Sequence, residues 1–177
     1  MYLIPGFLIS IVTFPGVIVH EIAHQLFCKI SRVAVFDVCY FRFGNPSGYV
    51  IHEEPKTTKQ QILIGIGPFL VNTVIGALIS LPAAIPVIKF ESGNALEYVL
   101  IWLGVSITMH SFPSVGDAKS IWKSVRKKET PILAKIFGTP IVGIIFLCAL
   151  GSVAWLDLIY GIAVATLIPN LLIKMIA

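Results

Sequence analysis

His20 and His24 stand four residues apart with Glu21 beside the first, inside the apolar run VIVHEIAHQL at residues 17–26. On a helix this spacing projects both imidazoles from one face, where they can share a metal ion. Glu21 can then reach a metal-bound water without ligating the metal itself. Zinc lowers the pKa of such a water to about 7, and a carboxylate takes its proton as it attacks a carbonyl. The chemistry implied is hydrolysis. With four histidines and six glutamates in 177 residues, random placement yields this HExxH pattern on the order of 0.003 times. Ionisable groups inside a membrane span cost about 2.5 kcal/mol or more each, so a function is their default explanation. The plain alternative is a polar patch satisfied by neighbouring helices.

The rest of the chain must hold these residues in an unusual solvent. Hydrophobic residues make up 56% of it and charged residues 12%, with a mean hydropathy of +0.91. A soluble domain cannot hide that much apolar surface, so lipid is the expected surroundings. Five apolar stretches are candidate spans: residues 1–30, 62–88, 95–112, 131–150 and 153–173. The third is short for a bilayer, which needs about 20 apolar residues, and it stops at Pro113. Helix is expected for each, because only helices or closed barrels satisfy the backbone in lipid. The reading is a single all-α, multi-pass membrane domain of about five helices. Its chemistry-bearing core covers about residues 1–129, and a C-terminal helical pair covers about 131–176. Cys28, Cys39 and Cys148 form no disulfide or metal-knuckle pattern.

Basic residues orient the spans. Lys29, Arg32, Arg42, Lys56 and Lys59 follow the first stretch; Lys119, Lys123, Arg126, Lys127 and Lys128 follow the third; Lys174 follows the fifth. Five crossings put all of these on one side, which the positive-inside rule makes cytoplasmic. The N-terminus is then expected outside and the C-terminus in the cytoplasm. This excess reads as a topology signal, and nucleic acid is not an expected partner. Between the first two spans, residues 33–54 are rich in β-branched and aromatic residues around the turn Gly44-Asn45-Pro46-Ser47-Gly48. They read as a cytoplasmic-side β-hairpin whose open edge could take up an extended peptide, with Tyr40 and Phe41 on the candidate edge. Residues 117–129 put Ala118, Ile121, Trp122 and Val125 on one helical face, which suits either a helix in the interface plane or a solvated loop.

Two histidines leave a catalytic zinc one protein ligand short. The metzincin pattern is excluded, because Phe27 and Ile30 stand where it needs glycine and histidine. Cys28 drifts off the metal face and reads as a small hydrophobe. Glu91, Glu97 and Asp157 fall on the outer side, away from the motif. Asp117, Glu53, Glu54, Asp37, His52 and His110 remain as candidates.

Three separated motifs resemble the site-2 protease family of intramembrane zinc metalloproteases. HEIAH at residues 20–24 is the first, and GPFLVN at 67–72 is similar to the family's glycine-proline-x-x-asparagine element. HSFPSVGDA at 110–118 is similar to its asparagine-x-x-proline…aspartate-glycine element. The chain departs from the pattern at His110 and Ala118, and its proline-to-aspartate spacing is one residue shorter. The resemblance implies a compact, divergent member in which Zn2+ is held by His20, His24 and Asp117. It also implies membrane-spanning protein substrates, and it gives Asn72 and His110 candidate roles at the substrate carbonyl. The plain readings are helix packing for Asn72 and a helix-end hydrogen bond for His110. The function expected is intramembrane zinc endopeptidase, with Glu21 as base. The alternative is a catalytically inactive or metal-transporting membrane protein of the same fold. A di-iron oxygenase would need more than four histidines.

Overall fold

The computed structural model describes residues 6–176. Helices α1 (Gly6–Val12) and α2 (Phe14–Ile30) lead into strands β1 (Val35–Cys39) and β2 (Tyr49–His52). Helix α3 (Thr58–Ala84) follows, extended by a π-helical turn (Ile85–Lys89). The chain is completed by α4 (Ala95–Met109), α5 (Val115–Val125), α6 (Ile132–Ser152) and α7 (Leu156–Ile176). The fold is mostly helical with one small hairpin, as the sequence led one to expect.

Helix α3 is the spine. A capping box starts it, in which the Thr57 side chain accepts from the Gln60 amide while the Gln60 side chain accepts from the Thr57 amide. Helix α2 lies antiparallel against its first half. Gln60 Nε2 donates to the Ser31 carbonyl at one end, and Asn72 Nδ2 donates to the Gly16 carbonyl at the other. Helix α4 covers the second half, where Gly76 and Gly104 cross so closely that a Cβ on Gly76 would sit 2.8 Å from the Gly104 carbonyl oxygen. Small residues at a crossing let two backbones approach in this way. Helix α5 returns along the first half, and Ser124 Oγ donates to Thr58 Oγ1 at 2.9 Å where α5 ends and α3 begins. So α4 and α5 lie end to end along α3, parted by residues 110–114. The expected short third span and the segment assigned to the interface plane or a loop together form one broken path. Ala118, Ile121 and Val125 are buried against Val142 and Ile145 of α6, as a helical face at that spacing requires.

The spans differ from the hydropathy reading in three respects. Thr58–Ile88 and Ile132–Ser152 are each long and apolar enough to cross a membrane. The stretch read as a first span is bent by 93° between α1 and α2, so it counts as a third span only if that bent pair is one crossing. Residues 1–5 of that expected span lie outside the described residues. The C-terminal helices are not an antiparallel pair. Helix α6 starts beside the head of α3, where Thr130 meets Thr58, while α7 starts beside the middle of α3, where the Tyr160 and Thr73 hydroxyls meet at 2.7 Å. Helix α7 then reaches the π-helical turn, so α6 and α7 run in the same sense along α3. Helix α7 therefore continues away from the hairpin, where alternating crossings would have it return. A periodicity of apolar residues reports helices; it carries no sign for the direction in which a helix continues after a turn.

These helices break at one depth. Thr13 at the α1–α2 bend hydrogen-bonds His110 at the α4–α5 break, its Oγ1 lying 2.7 Å from Nε2. Phe112 of the same break lies 4.9 Å, ring to ring, from Tyr160 in the first turns of α7.

Candidate metal centre

The two histidines present Nε2 to each other at 3.1 Å, and His24 Nε2 lies 3.6 Å from Asp117 Oδ1. One ligand atom from each of His20, His24 and Asp117 lies within 4.8 Å of the others. Both imidazoles are held from behind. His20 Nδ1–H donates to the His110 carbonyl at 2.7 Å, and His24 Nδ1–H donates to the Ile64 carbonyl at 3.0 Å. Carbonyl acceptors at Nδ1 fix the tautomer in which Nε2 carries the lone pair. Two ring nitrogens and a carboxylate oxygen then converge. That donor set could hold a cation, and two imidazoles with one carboxylate match the ligands of a catalytic zinc with a position open.

Asp117 performs two tasks with its two oxygens. Oδ2 accepts from the Ser114 amide at 2.8 Å and from Ser114 Oγ at 2.6 Å, closing a capping box at the start of α5. Oδ1 is left facing His24. The capping reading and the ligand reading of this aspartate are thus compatible.

Glu21 is buried on the same helix as the histidines. Above it lies the hairpin, where a Cβ on Gly48 would stand 2.7 Å from Glu21 Cγ and 2.9 Å from Oε1. Only a residue without a side chain brings backbone this close to the carboxylate. His20, Glu21, His24 and Asp117 line a cleft of about 1010 Å³, walled also by Tyr49 and Val50 of the hairpin.

Asn72 lies away from the cleft surface. It is fully buried, and its Nδ2 lies 3.2, 3.1 and 3.2 Å from the carbonyls of Gly16, Ile107 and His110. Its amide faces three helix carbonyls, as the packing reading expects. The His110 carbonyl that Asn72 holds is the one that orients His20. Replacing Asn72 by leucine should weaken zinc binding roughly 10–100-fold, the usual cost of losing an outer-shell partner. A chelator-competition titration checks this, and unchanged affinity would remove Asn72 from the site. His110 contributes its carbonyl to His20 and its ring to Thr13, and it lines the cleft without joining the ligand cluster.

The remaining candidates fall elsewhere. Asp37 accepts from the Tyr49 hydroxyl at 2.9 Å within the hairpin, and this bond raises the Tyr49 phenol above its ordinary range. Glu54 pairs with Lys127 at 3.0 Å and Lys123 at 3.5 Å, and these ammonium groups, Lys127 foremost, hold its carboxyl below the usual range. His52 lines the cleft, its Nδ1–H turned to the Glu53 carbonyl. Cys28 is buried in an apolar cluster with Val33 and Ile64. Asp157 departs from expectation: it lines the same cleft as the histidines. Its position was not legible because α6 does not carry the chain to the far side: the α6–α7 corner lies beside the middle of α3.

A family model described as "Putative zincin peptidase" matches residues 13–131, about two thirds of the chain. The chain belongs to this zincin peptidase family. The match begins at the α1–α2 bend and ends before α6, so it contains both histidines, Glu21, the hairpin and Asp117. Zincins are by name zinc peptidases, and the donor set described above fits that metal. Comparison with curated proteins and with solved structures gives no match.

Proposed function

We propose that this zincin is an intramembrane endopeptidase, similar to site-2 proteases, that hydrolyses peptide bonds in or next to membrane-spanning segments of other proteins. The observation that carries the reading is the convergence of His20, His24 and Asp117 beside a buried Glu21 on the wall of one cleft. When bound, zinc supplies Lewis acidity toward the scissile carbonyl and acidifies water. The chain's own residues do the rest. The carbonyls of His110 and Ile64 orient the imidazoles, Ser114 orients Asp117, and Glu21 accepts the proton of the attacking water and hands it to the leaving amine. A metal transporter of the same fold would have no use for Glu21, whose carboxylate is not among the converging ligand atoms.

The hairpin half is read as cytoplasmic. Of the thirteen basic residues, only Lys89 and Lys174 belong to the far half of α3's length. The membrane location is supported by the two helices of spanning length and by wide apolar exposure on α6, where Ile132, Phe137 and Leu147 are each more than half exposed.

A helix is a poor substrate because its carbonyls are bonded internally, so the target must be held extended. Ser47 and Glu53 bond toward the β1 side through their carbonyl and amide, respectively. Alternation along an antiparallel strand then turns the N–H and C=O of Val50 and His52 to the open edge of β2. That edge borders the cleft. Tyr40 and Phe41, the expected edge positions, lie past the end of β1. Val50→Pro should therefore depress cleavage about tenfold or more while zinc content stays near one, since one docking donor is lost and the ladder is kept. Unimpaired cleavage by this variant counts against strand docking. The function itself is tested by incubating purified protein with single-span substrates, with and without a chelator. Chelator-sensitive cleavage absent from Glu21→Gln is the expected result, and its absence across the panel rejects the reading.

A further inference from the structure

Asp157 is a carboxylate that the proposed chemistry does not use. It stands in the first turn of α7, half-buried, and shares the cleft with His20, Glu21, His24 and Asp117. Its Oδ1 accepts from the Leu158 amide at 2.9 Å, a contact within its own helix. Among the described residues no lysine, arginine or histidine pairs with it, and no lysine or arginine lines the cleft at all. Elsewhere the chain does neutralise its acids where bases are at hand, as Glu54 with Lys123 and Lys127 demonstrates. An ionisable side chain within the helices of a membrane protein is expensive, and such residues mark substrate or ion pathways.

Resting on the endopeptidase reading above, we infer that Asp157 is a specificity residue that receives a lysine or arginine of the substrate. The substrate segment lies extended in the cleft, its scissile bond at the His20–His24–Asp117 cluster and a basic side chain at the α6–α7 corner. The cleft carries three carboxylates, those of Glu21, Asp117 and Asp157. The first two are engaged at the metal centre, so Asp157 is the one available to read charge. Ser152, at the end of α6, lines the same corner, but its hydroxyl donates to the Cys148 carbonyl at 3.1 Å. Recognition there rests on the carboxylate. This gives the chain a reason to carry α6 and α7, which lie beyond the family match.

The test uses binding, so that it reads independently of turnover. Fluorescent apolar peptides carrying one lysine, moved position by position, are titrated against full-length Glu21→Gln protein in detergent. One lysine position should bind about tenfold tighter than its neutral counterpart, as expected of a partly desolvated ion pair. Asp157→Asn should erase that preference, and Asp157→Lys should transfer it to a glutamate at the same position. A preference that survives both substitutions, or no preference at any position, overturns the inference. Charge exchange separates recognition from a merely structural role, because a misfolded corner would not favour the opposite charge. Cleavage of the same peptides by the wild-type protein is followed in parallel. Charge-dependent binding without any cleavage keeps Asp157 as a binding residue and rejects the peptidase reading instead.

Discussion

Glu21→Gln should retain about one zinc per chain and lose peptide hydrolysis by roughly 10²–10⁴-fold, the usual contribution of a positioned general base. Glutamine has nearly the shape of glutamate, so the contact with Gly48 and the burial beneath the hairpin are preserved. None of the converging ligand atoms belongs to Glu21, and for that reason metal content should not fall. His24→Ala should behave differently. It removes the imidazole that stands within 3.6 Å of both other ligand atoms it meets, His20 Nε2 and Asp117 Oδ1, so metal and activity should disappear together. Metal content measured beside turnover distinguishes the two cases. A Glu21→Gln protein that cleaves normally would end the mechanism, and a His24→Ala protein with full zinc would move the centre elsewhere.

The parts of this site that were legible in the sequence are those set by short spacing. His20 and His24 share a face because four residues make about one helical turn, and Glu21 follows from its neighbour. The hairpin was legible from its β-branched composition and from the turn around Gly44 to Gly48. What Gly48 does was not: it reads as a turn residue, whereas in the fold it allows backbone to lie on the Glu21 carboxylate. Asn72 carried a motif signal, but a motif cannot say which way an amide points, and here it points into three carbonyls. Asp157 failed for a topological reason. Counting spans as full crossings puts the α6–α7 corner on the outer side, while the contacts of Tyr160 with Thr73 and Phe112 place it beside the middle of α3 and the break after α4. Hydropathy measures whether a segment prefers lipid, and a helix that breaks at mid-depth and continues onward has the same hydropathy as one that turns back.

The third ligand is where sequence alone was least decisive, and it carries the second large expected effect. Asp117→Asn should weaken zinc binding by well over about 100-fold, more than the loss of an outer-shell partner, and should abolish cleavage. The asparagine keeps a carbonyl oxygen for Ser114, whose amide and hydroxyl hold Oδ2 in the capping box, so the start of α5 should stay intact. What it loses is the anionic oxygen turned toward His24. Ser114→Ala supplies the complementary case. It removes the hydroxyl that orients the carboxylate while leaving both oxygens charged, and it should cost only about 10–100-fold in affinity. Glu53→Gln combined with Glu54→Gln should leave metal and activity nearly unchanged. Glu54 is spent on exposed ion pairs with Lys123 and Lys127, which solvent screens. Competition titrations with a zinc chelator across the three proteins order these losses. If the glutamate pair lost zinc and Asp117→Asn kept it, the metal would belong to the hairpin side of the cleft, and the likeness to site-2 proteases at residues 110–118 would lose its meaning.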